Sequence, residues 1–314
     1  VAGDQPQLHL RLAEARRPGG AGVKAGGAPE PRLEYRHVLF TPGAGRFELA
    51  RRISLARLGG AARRAFERMA RAGRREGEAP GAPRVLWVYH PNLIELLGRV
   101  PHDLLIYDCM DHFAGFRSER REVAARERAL AERADLVFTG GRSLHNAKKD
   151  FNARTHCFPS GVEVAHFARA AAAGPVPADL ARLPAPRLGY FGAVDERIDW
   201  ALIRELCRAR PGWSVVFLGP LVMMSRCPVE EPNFHHLGPK PYAQLPDYLR
   251  GFDACLMPFV QSELVAHISP TKTPEYLAGG RPVVSTPVPD VIADYAEEVE
   301  IAATPGAFVE ACER

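Results

Sequence analysis

The 314-residue chain is short of several features that would settle its class at once. No apolar run approaches the roughly 20 residues that a membrane-spanning helix needs. The first residues are polar and Gly-rich, with no apolar core of a secretory signal. There is no initiator Met, and the start reads like that of a fragment. Six cysteines fall at 109, 157, 207, 227, 255 and 312, none in Cys-x-x-Cys spacing and none with histidines placed for zinc. Scattered cysteines of this kind predict reduced thiols and a cytoplasmic location. No acidic cluster has the spacing of a metal site, so no metal cofactor is expected. Aromatic residues do not interleave with the basic ones, so nucleic acid is the least expected partner.

What is present is an ordinary globular composition. Hydrophobic residues make up 46% and charged residues 25%, so the chain has the means to bury cores. Its length suits two α/β domains. The net charge of +4 is unevenly spread. Residues 51–75 hold nine arginines, whereas the stretch from Asp290 onward is acidic. The basic segment reads either as a solvated helix face or as a surface for anionic lipid or a phosphorylated acceptor.

Periodicity divides the chain into four parts. Residues 1–34 are Gly-, Ala-, Pro- and Arg-rich and predict loop or disorder, with a short helix around Leu8 to Ala15. Residues 35–167 read as one Rossmann-like domain. A strand at 38–40 and the turn Pro42-Gly43 lead to a basic amphipathic stretch at 47–72, broken near Gly59-Gly60. Strands follow at 84–89, 104–108, 134–138 and 155–158, with helical segments at 92–97 and 117–133 between them. Residues 168–186 are Ala- and Pro-rich and read as a linker. Residues 187–314 repeat the alternation, with strands at 188–192, 214–218, 233–237 and 255–258 and helices at 200–208 and 242–250. Such alternation predicts parallel, doubly wound sheets.

The most informative stretch is 269–285, Ser-Pro-Thr-Lys-Thr-Pro-Glu-Tyr-Leu-Ala-Gly-Gly-Arg-Pro-Val-Val-Ser. It reads as a loop, a short helix, a Gly stop and a buried strand. A helix start offers free N–H groups, and Lys272 adds a full positive charge, which suits a diphosphate. Glu275 sits one turn further in, where a carboxylate accepts hydrogen bonds from ribose hydroxyls. An ordinary βαβ unit with a surface Lys and Glu fits the same letters.

The pattern Ser-Pro-x-Lys-x-x-Glu-Tyr-Leu-Ala-x-Gly-x-Pro-Val-Val resembles the nucleotide-sugar motif of GT-B glycosyltransferases, in particular the large bacterial family four. Other segments resemble the same family in the same order: 134–138 with Ser143, Ser160-Gly161-Val162-Glu163 with Phe167, Gly189 to Gly192, and His236-Leu237-Gly238 with Tyr242. Tyr107-Asp-Cys-Met-Asp-His112 resembles a bacterial subgroup with a Tyr-Asp-Cys-x-Asp motif. The resemblance covers roughly 84–311. Two departures stand out. The second Glu of the family motif is His267 here, with Glu263 the nearest upstream acid. The family's first strand with its Gly-rich loop, and its final crossover helix, have no convincing copy.

The resemblance implies two Rossmann-like domains whose parallel sheets face across a cleft. It implies transfer of a sugar, of hexosyl type, from a nucleoside-diphosphate donor to a glycan or lipid-linked acceptor in cell-surface polysaccharide synthesis. Donor binding falls to Gly192, Arg197, Gly238, Lys272 and Glu275, with Arg197 and Lys272 on the diphosphate in place of a metal. A surface ion pair with Asp195 or Asp199 is the structural alternative for Arg197. Asp111, Asp108 and His112 end a strand on the acceptor side, where a carboxylate or imidazole takes or orients a hydroxyl proton. A helix cap at Asp111 and a buried hydrogen-bonding Asp108 are the structural alternatives. His90 is a lesser candidate. Residues 51–75 are the expected contact with an anionic membrane. A nucleotide-sugar epimerase of the same fold and a non-catalytic nucleotide-sugar-binding protein are the rival readings.

Overall fold

The structure, a computed structural model, describes residues 8–13, 33–38, 48–72, 84–113 and 120–314. It separates into two compact units. One comprises Val1–Asp108 and Arg121–Val137, the other Cys109–Arg120 and Phe138–Arg314. The expected turn at Pro42-Gly43, positions 39 and 40 of the first strand, Arg74, Arg75 and the start of the helix expected at 117 all lie outside the described residues.

In the first unit, β1 (Leu8–Ala13) pairs antiparallel with β2 (Leu33–Val38). The short helix expected near Leu8 is therefore a strand. Its sequence, Leu-His-Leu-Arg-Leu-Ala, alternates with period two, which a strand satisfies and a helix does not. Helix α1 (Glu48–Ala72) is continuous through Gly59-Gly60, where a break was expected. Gly59 is there for room: an added Cβ would come within 3.0 Å of the Arg99 Cβ. Leu55, Leu58 and Ala62 bury the inner face of this helix. Strands β3 (Val85–Val88), β4 (Leu104–Cys109) and β5 (Leu136–Thr139) follow one another in a four-stranded sheet, whose last strand, β6 (Thr155–Cys157), is counted with the second unit. Helix α2 (Arg120–Arg133) is fastened by the Tyr107 hydroxyl, which donates to Glu127 at 2.9 Å in a buried site.

The second unit holds α3 (Arg142–Lys148), α4 (Val164–Phe167) and α5 (Ala178–Ala181), followed by a six-stranded sheet. Its strands are β7 (Arg187–Phe191), β8 (Ser214–Leu218), β9 (Phe234–His236), β10 (Ala254–Met257), β11 (Val283–Ser285) and β12 (Val299–Ile301). All neighbours are parallel, in the order β9-β8-β7-β10-β11-β12. Both faces are covered, so β8 and β10 are buried along their whole length. The intervening helices are α6 (Trp200–Ala209), α7 (Leu245–Arg250), α8 (Lys272–Ala278), α9 (Pro289–Tyr295) and α10 (Pro305–Glu313). Helix α6 is capped by the Asp199 carboxylate, which accepts from the Leu202 N–H at 2.9 Å.

Residues 168–186 are folded, not a free linker. Leu180 is fully buried, and the Asp179 carboxylate accepts from Lys240 Nζ at 2.7 Å and from the Tyr248 hydroxyl at 2.9 Å. The Arg250 guanidinium donates to the carbonyls of Arg169, Ala172 and Pro175, each at 2.9 Å. These bonds place the segment on the second unit, so the boundary expected between 167 and 187 falls inside that unit.

Candidate nucleotide-sugar site

Numbered from the first strand of the second sheet, the order β9-β8-β7-β10-β11-β12 is 3-2-1-4-5-6. In such sheets ligands bind beyond the carboxyl ends of the strands, where the order reverses, here at β7 and β10. The chain leaves β7 at Gly192, with φ of 146°. Few residues other than glycine adopt that angle. The N–H of Gly192 donates to the Leu218 carbonyl at 2.9 Å, and that of Gly219 to the Gly238 carbonyl at 2.9 Å. Gly219 has φ of 141°, and a Cβ there would run into the Gly192 carbonyl oxygen. The ends of β7, β8 and β9 thus form a rim of bare backbone. Gly238 has open space where its side chain would be.

Helix α8 brings the charges to this rim. The Lys272 side chain lies over Gly192, where a Cβ would meet its Cε and, at 3.1 Å, its Nζ. Tyr276 locks the helix in place: its hydroxyl accepts the Phe191 N–H at 3.0 Å, and its ring meets Phe191 edge-on. Helix α8 has seven residues, so the positive potential here rests on the Lys272 ammonium more than on the helix dipole. Burial pushes Lys272 below its ordinary pKa; Glu275 acts against that and Arg197 adds to it. Burial likewise pushes Glu275 above its ordinary value, against the pull of Lys272. A partly buried cation over bare backbone can seat an anion.

Arg197 is held by Asp195. Its Nη2 donates to Asp195 Oδ2 at 2.6 Å and its Nε to Oδ1 at 3.0 Å, and this pairing raises its pKa. The ion pair offered as a structural alternative is therefore present. Arg197 is also near enough to Lys272 to lower its pKa, and near enough to Asp111 to feel the charge of that carboxylate. The site thus gathers Gly192, Lys272, Glu275, Arg197 and Asp111 in the second unit.

The remaining candidates fall in different places. Asp108 belongs to the first unit, where its buried carboxylate accepts from Trp87 Nε1 at 2.9 Å and burial raises its pKa. That is the structural alternative named for it. His90 caps a 3-10 turn, its Nδ1 accepting from the Asn92 N–H at 3.1 Å. Asp111 is exposed in the bend after β4, two residues before a 3-10 turn that opens at Phe113, whose N–H donates to the Asp111 carbonyl at 3.2 Å. His112 pairs with His267, their ring centroids 4.2 Å apart, and its Nε2 lies 3.5 Å from Glu263. Burial, then His112, then Lys148 lower the pKa of His267. Tyr190, Tyr276 and Gly219 were missed as functional positions. The Tyr190 hydroxyl donates to the Ala193 carbonyl at 2.9 Å just past Gly192, and only the spatial pairing reveals these roles. A cavity of about 660 Å³ lies elsewhere, lined by Pro186, Leu188, Ala254 and Val283 at the amino ends of strands and by Cys312 of α10, away from the edge where such sheets bind ligands.

No protein-family model matches the chain. It is 28% identical over 256 residues, 75% of its length, to TuaH of Bacillus subtilis (strain 168), assigned as a glycosyltransferase of teichuronic acid biosynthesis. The chain spans 64% of the length of that relative. Among solved structures it is similar to the sucrose-phosphate synthase of Thermosynechococcus elongatus, with TM-score 0.60, 16% identity, and coverage of 83% of this chain and 68% of that one. Anabaena HepE, solved with UDP and glucose, matches with TM-score 0.52, 14% identity, and coverage of 73% and 66%. These likenesses show the fold, the α/β architecture of parallel sheets found in GT-B enzymes. Among the described residues, no helix is long and apolar enough to cross a membrane.

Proposed function

We propose that the chain is a glycosyltransferase that moves a hexosyl group from a nucleoside-diphosphate donor to a hydroxyl of a glycan or lipid-linked acceptor in cell-surface polysaccharide synthesis. The observation that carries this reading is the Lys272 side chain lying over the bare Gly192 backbone at the reversal point of the sheet, with Glu275 one turn on. The similarity to TuaH and the fold shared with HepE point the same way.

In this reading Lys272 and Arg197 hold the diphosphate. The anomeric carbon–oxygen bond to the phosphate breaks as the bond to the acceptor oxygen forms. Negative charge grows on the departing diphosphate, and fixed cations stabilise it more in the transition state than in the ground state. These two side chains, not a metal, are proposed to supply that charge. Asp195 presents Arg197 with its donors aligned. The acceptor proton passes to Asp111 or to the departing diphosphate. Residues 51–75 would bring the enzyme to an anionic membrane surface.

Calorimetric titration with uridine and guanosine diphosphates tests the site. Glu275→Gln is expected to cost about 1–3 kcal/mol of binding, the range for a lost charged hydrogen bond. Lys272→Ala and Arg197→Ala should weaken the diphosphate far more than the bare nucleoside. Equal losses on both ligands would remove these residues from the diphosphate. Failure of the parent chain to bind any nucleoside diphosphate would overturn the proposal. Release of diphosphate that needs water and no acceptor would select the epimerase instead, and binding with no turnover a non-catalytic protein.

A further inference from the structure

The uneven charge of the chain takes no part in the nucleotide-sugar site. Seven carboxylates lie between Asp290 and the end of the sequence, against one arginine, whereas nine arginines lie within 51–75. The structure gives a shape to each of these two stretches.

The acidic stretch borders the cavity of about 660 Å³ at the amino ends of β7, β10 and β11. Its floor is apolar, made by Pro186, Leu188, Ala254, Pro282 and Val283. The carboxylates of Asp253, Glu298, Glu300 and Glu313 line it, against the guanidinium of Arg314. All four acidic residues are exposed. Three of them are held in place. Asp253 accepts from the Arg187 N–H at 2.7 Å, Glu300 from Arg314 at 2.7 Å and Glu313 from Arg210 Nε at 2.6 Å. An apolar floor inside a negative border fits an apolar group that carries positive charge. An anionic nucleotide sugar is repelled here, and its own site lies at the other end of the same strands.

Helix α1 has the complementary surface. Leu55, Leu58 and Ala62 bury one face of it. The other face exposes Arg52, Arg57 and Arg64, and Ile53 among them is 40% exposed. Ile53, Arg57 and Arg64 are four and seven positions apart, which sets them in one stripe along the helix. An exposed isoleucine between guanidiniums is the chemistry that the cavity fits.

We propose that α1 of one copy of the chain docks its Ile53–Arg57 stripe into the acid-lined cavity of a second copy. The contact joins two different patches, so it is heterologous. Opposite charges steer the encounter, and salt screens it. The contact does not depend on the reading of the nucleotide-sugar site.

Sedimentation velocity on the full chain tests the proposal. The parent should associate at about 0.03 M salt and dissociate at about 0.5 M, where the screening length falls to about 4 Å. Glu298→Lys in the cavity and Arg57→Glu on the helix should each leave the chain monomeric at the lower salt. An equal mixture of these two variants should associate again, because the intact helix of the first fits the intact cavity of the second. Asp150→Lys changes the net charge as Glu298→Lys does, at an exposed position outside the cavity, and should associate like the parent. Should either charge reversal unfold the chain, Glu298→Gln and Arg57→Gln carry the same test, each weakening the association. A parent that is monomeric at the lower salt, a cavity or helix variant that associates like the parent, or a mixture that stays monomeric overturns the proposal. A monomeric parent that sediments with phosphatidylglycerol vesicles gives the basic face to a membrane instead, and also overturns it.

Discussion

Replacing Gly219 by alanine should damage both the fold of the second unit and its ligand rim. Two effects add. At φ of 141° an L-residue is strained by about 1–3 kcal/mol. The new Cβ also points into the Gly192 carbonyl oxygen, part of the backbone, which no side-chain rotation relieves. The ends of β7 and β8 must part, which threatens the bond from the Gly219 N–H to the Gly238 carbonyl, worth about 1 kcal/mol net. The total is about 2–4 kcal/mol. With a urea dependence of about 1–3 kcal/mol per molar, the unfolding midpoint should fall by about 1 M or more. Tryptophan fluorescence can follow it, since Trp200 packs against Phe217 of β8 and Phe234 of β9. Gly306→Ala is the control. Gly306 lies inside α10 with nothing within 4 Å of an added Cβ, so alanine there should be neutral or stabilise by about 0.5–1 kcal/mol. A Gly219→Ala midpoint indistinguishable from the parent, or a Gly306→Ala change of equal harm, would refute the reasoning.

Two further outcomes follow from other parts of the second unit. Arg250→Ala strips three backbone carbonyls of their donor and should lower the stability of the unit by about 2–4 kcal/mol, read from the same urea curves; a change under about 0.5 kcal/mol would mean that water replaces the guanidinium. His267 has a folded pKa below its ordinary 6.5, owing to burial and then to His112 and Lys148, with the Ser143 carbonyl and Glu263 acting against them. The folded state then binds fewer protons than the unfolded one in that window, so stability is full above about 6.5 and falls as pH drops below it. His267→Gln should flatten the loss of melting temperature between pH 7.5 and 5.5, and an unchanged slope would assign the pH dependence to another group.

Strands β8 and β10 were legible because a strand buried on both faces is a continuous apolar run, as in Ser-Val-Val-Phe-Leu. Lys272 and Glu275 were legible because their spacing within one short helix is local. The order 3-2-1-4-5-6 was not, since it depends on β7 pairing with β10 across more than sixty positions. Asp195 was read as a partner of Arg197 from proximity in the chain, and the structure places it there. Tyr242 was visible as a motif position, but His166, on which its ring stacks, lies 76 positions away. The opposite error occurred at 168–186, whose Ala and Pro content reads as linker. Its order comes from Arg250 and Asp179, which no local pattern announces.

That last segment has a consequence for how the chain meets proteases. Residues 171–175, Ala-Ala-Ala-Gly-Pro, are exposed and small, the composition that a protease finds easiest to thread. Cleavage requires the backbone to leave its resting path, and here three carbonyls in and beside the stretch are held by one guanidinium. Nicking at this place should therefore be slow and should track how often Arg250 lets go, so that the cutting rate becomes a clock for one side chain. A lysine at 250 has a single charged nitrogen and cannot hold three carbonyls in one plane, so the same peptide bonds would open to digestion with the charge of the protein unchanged.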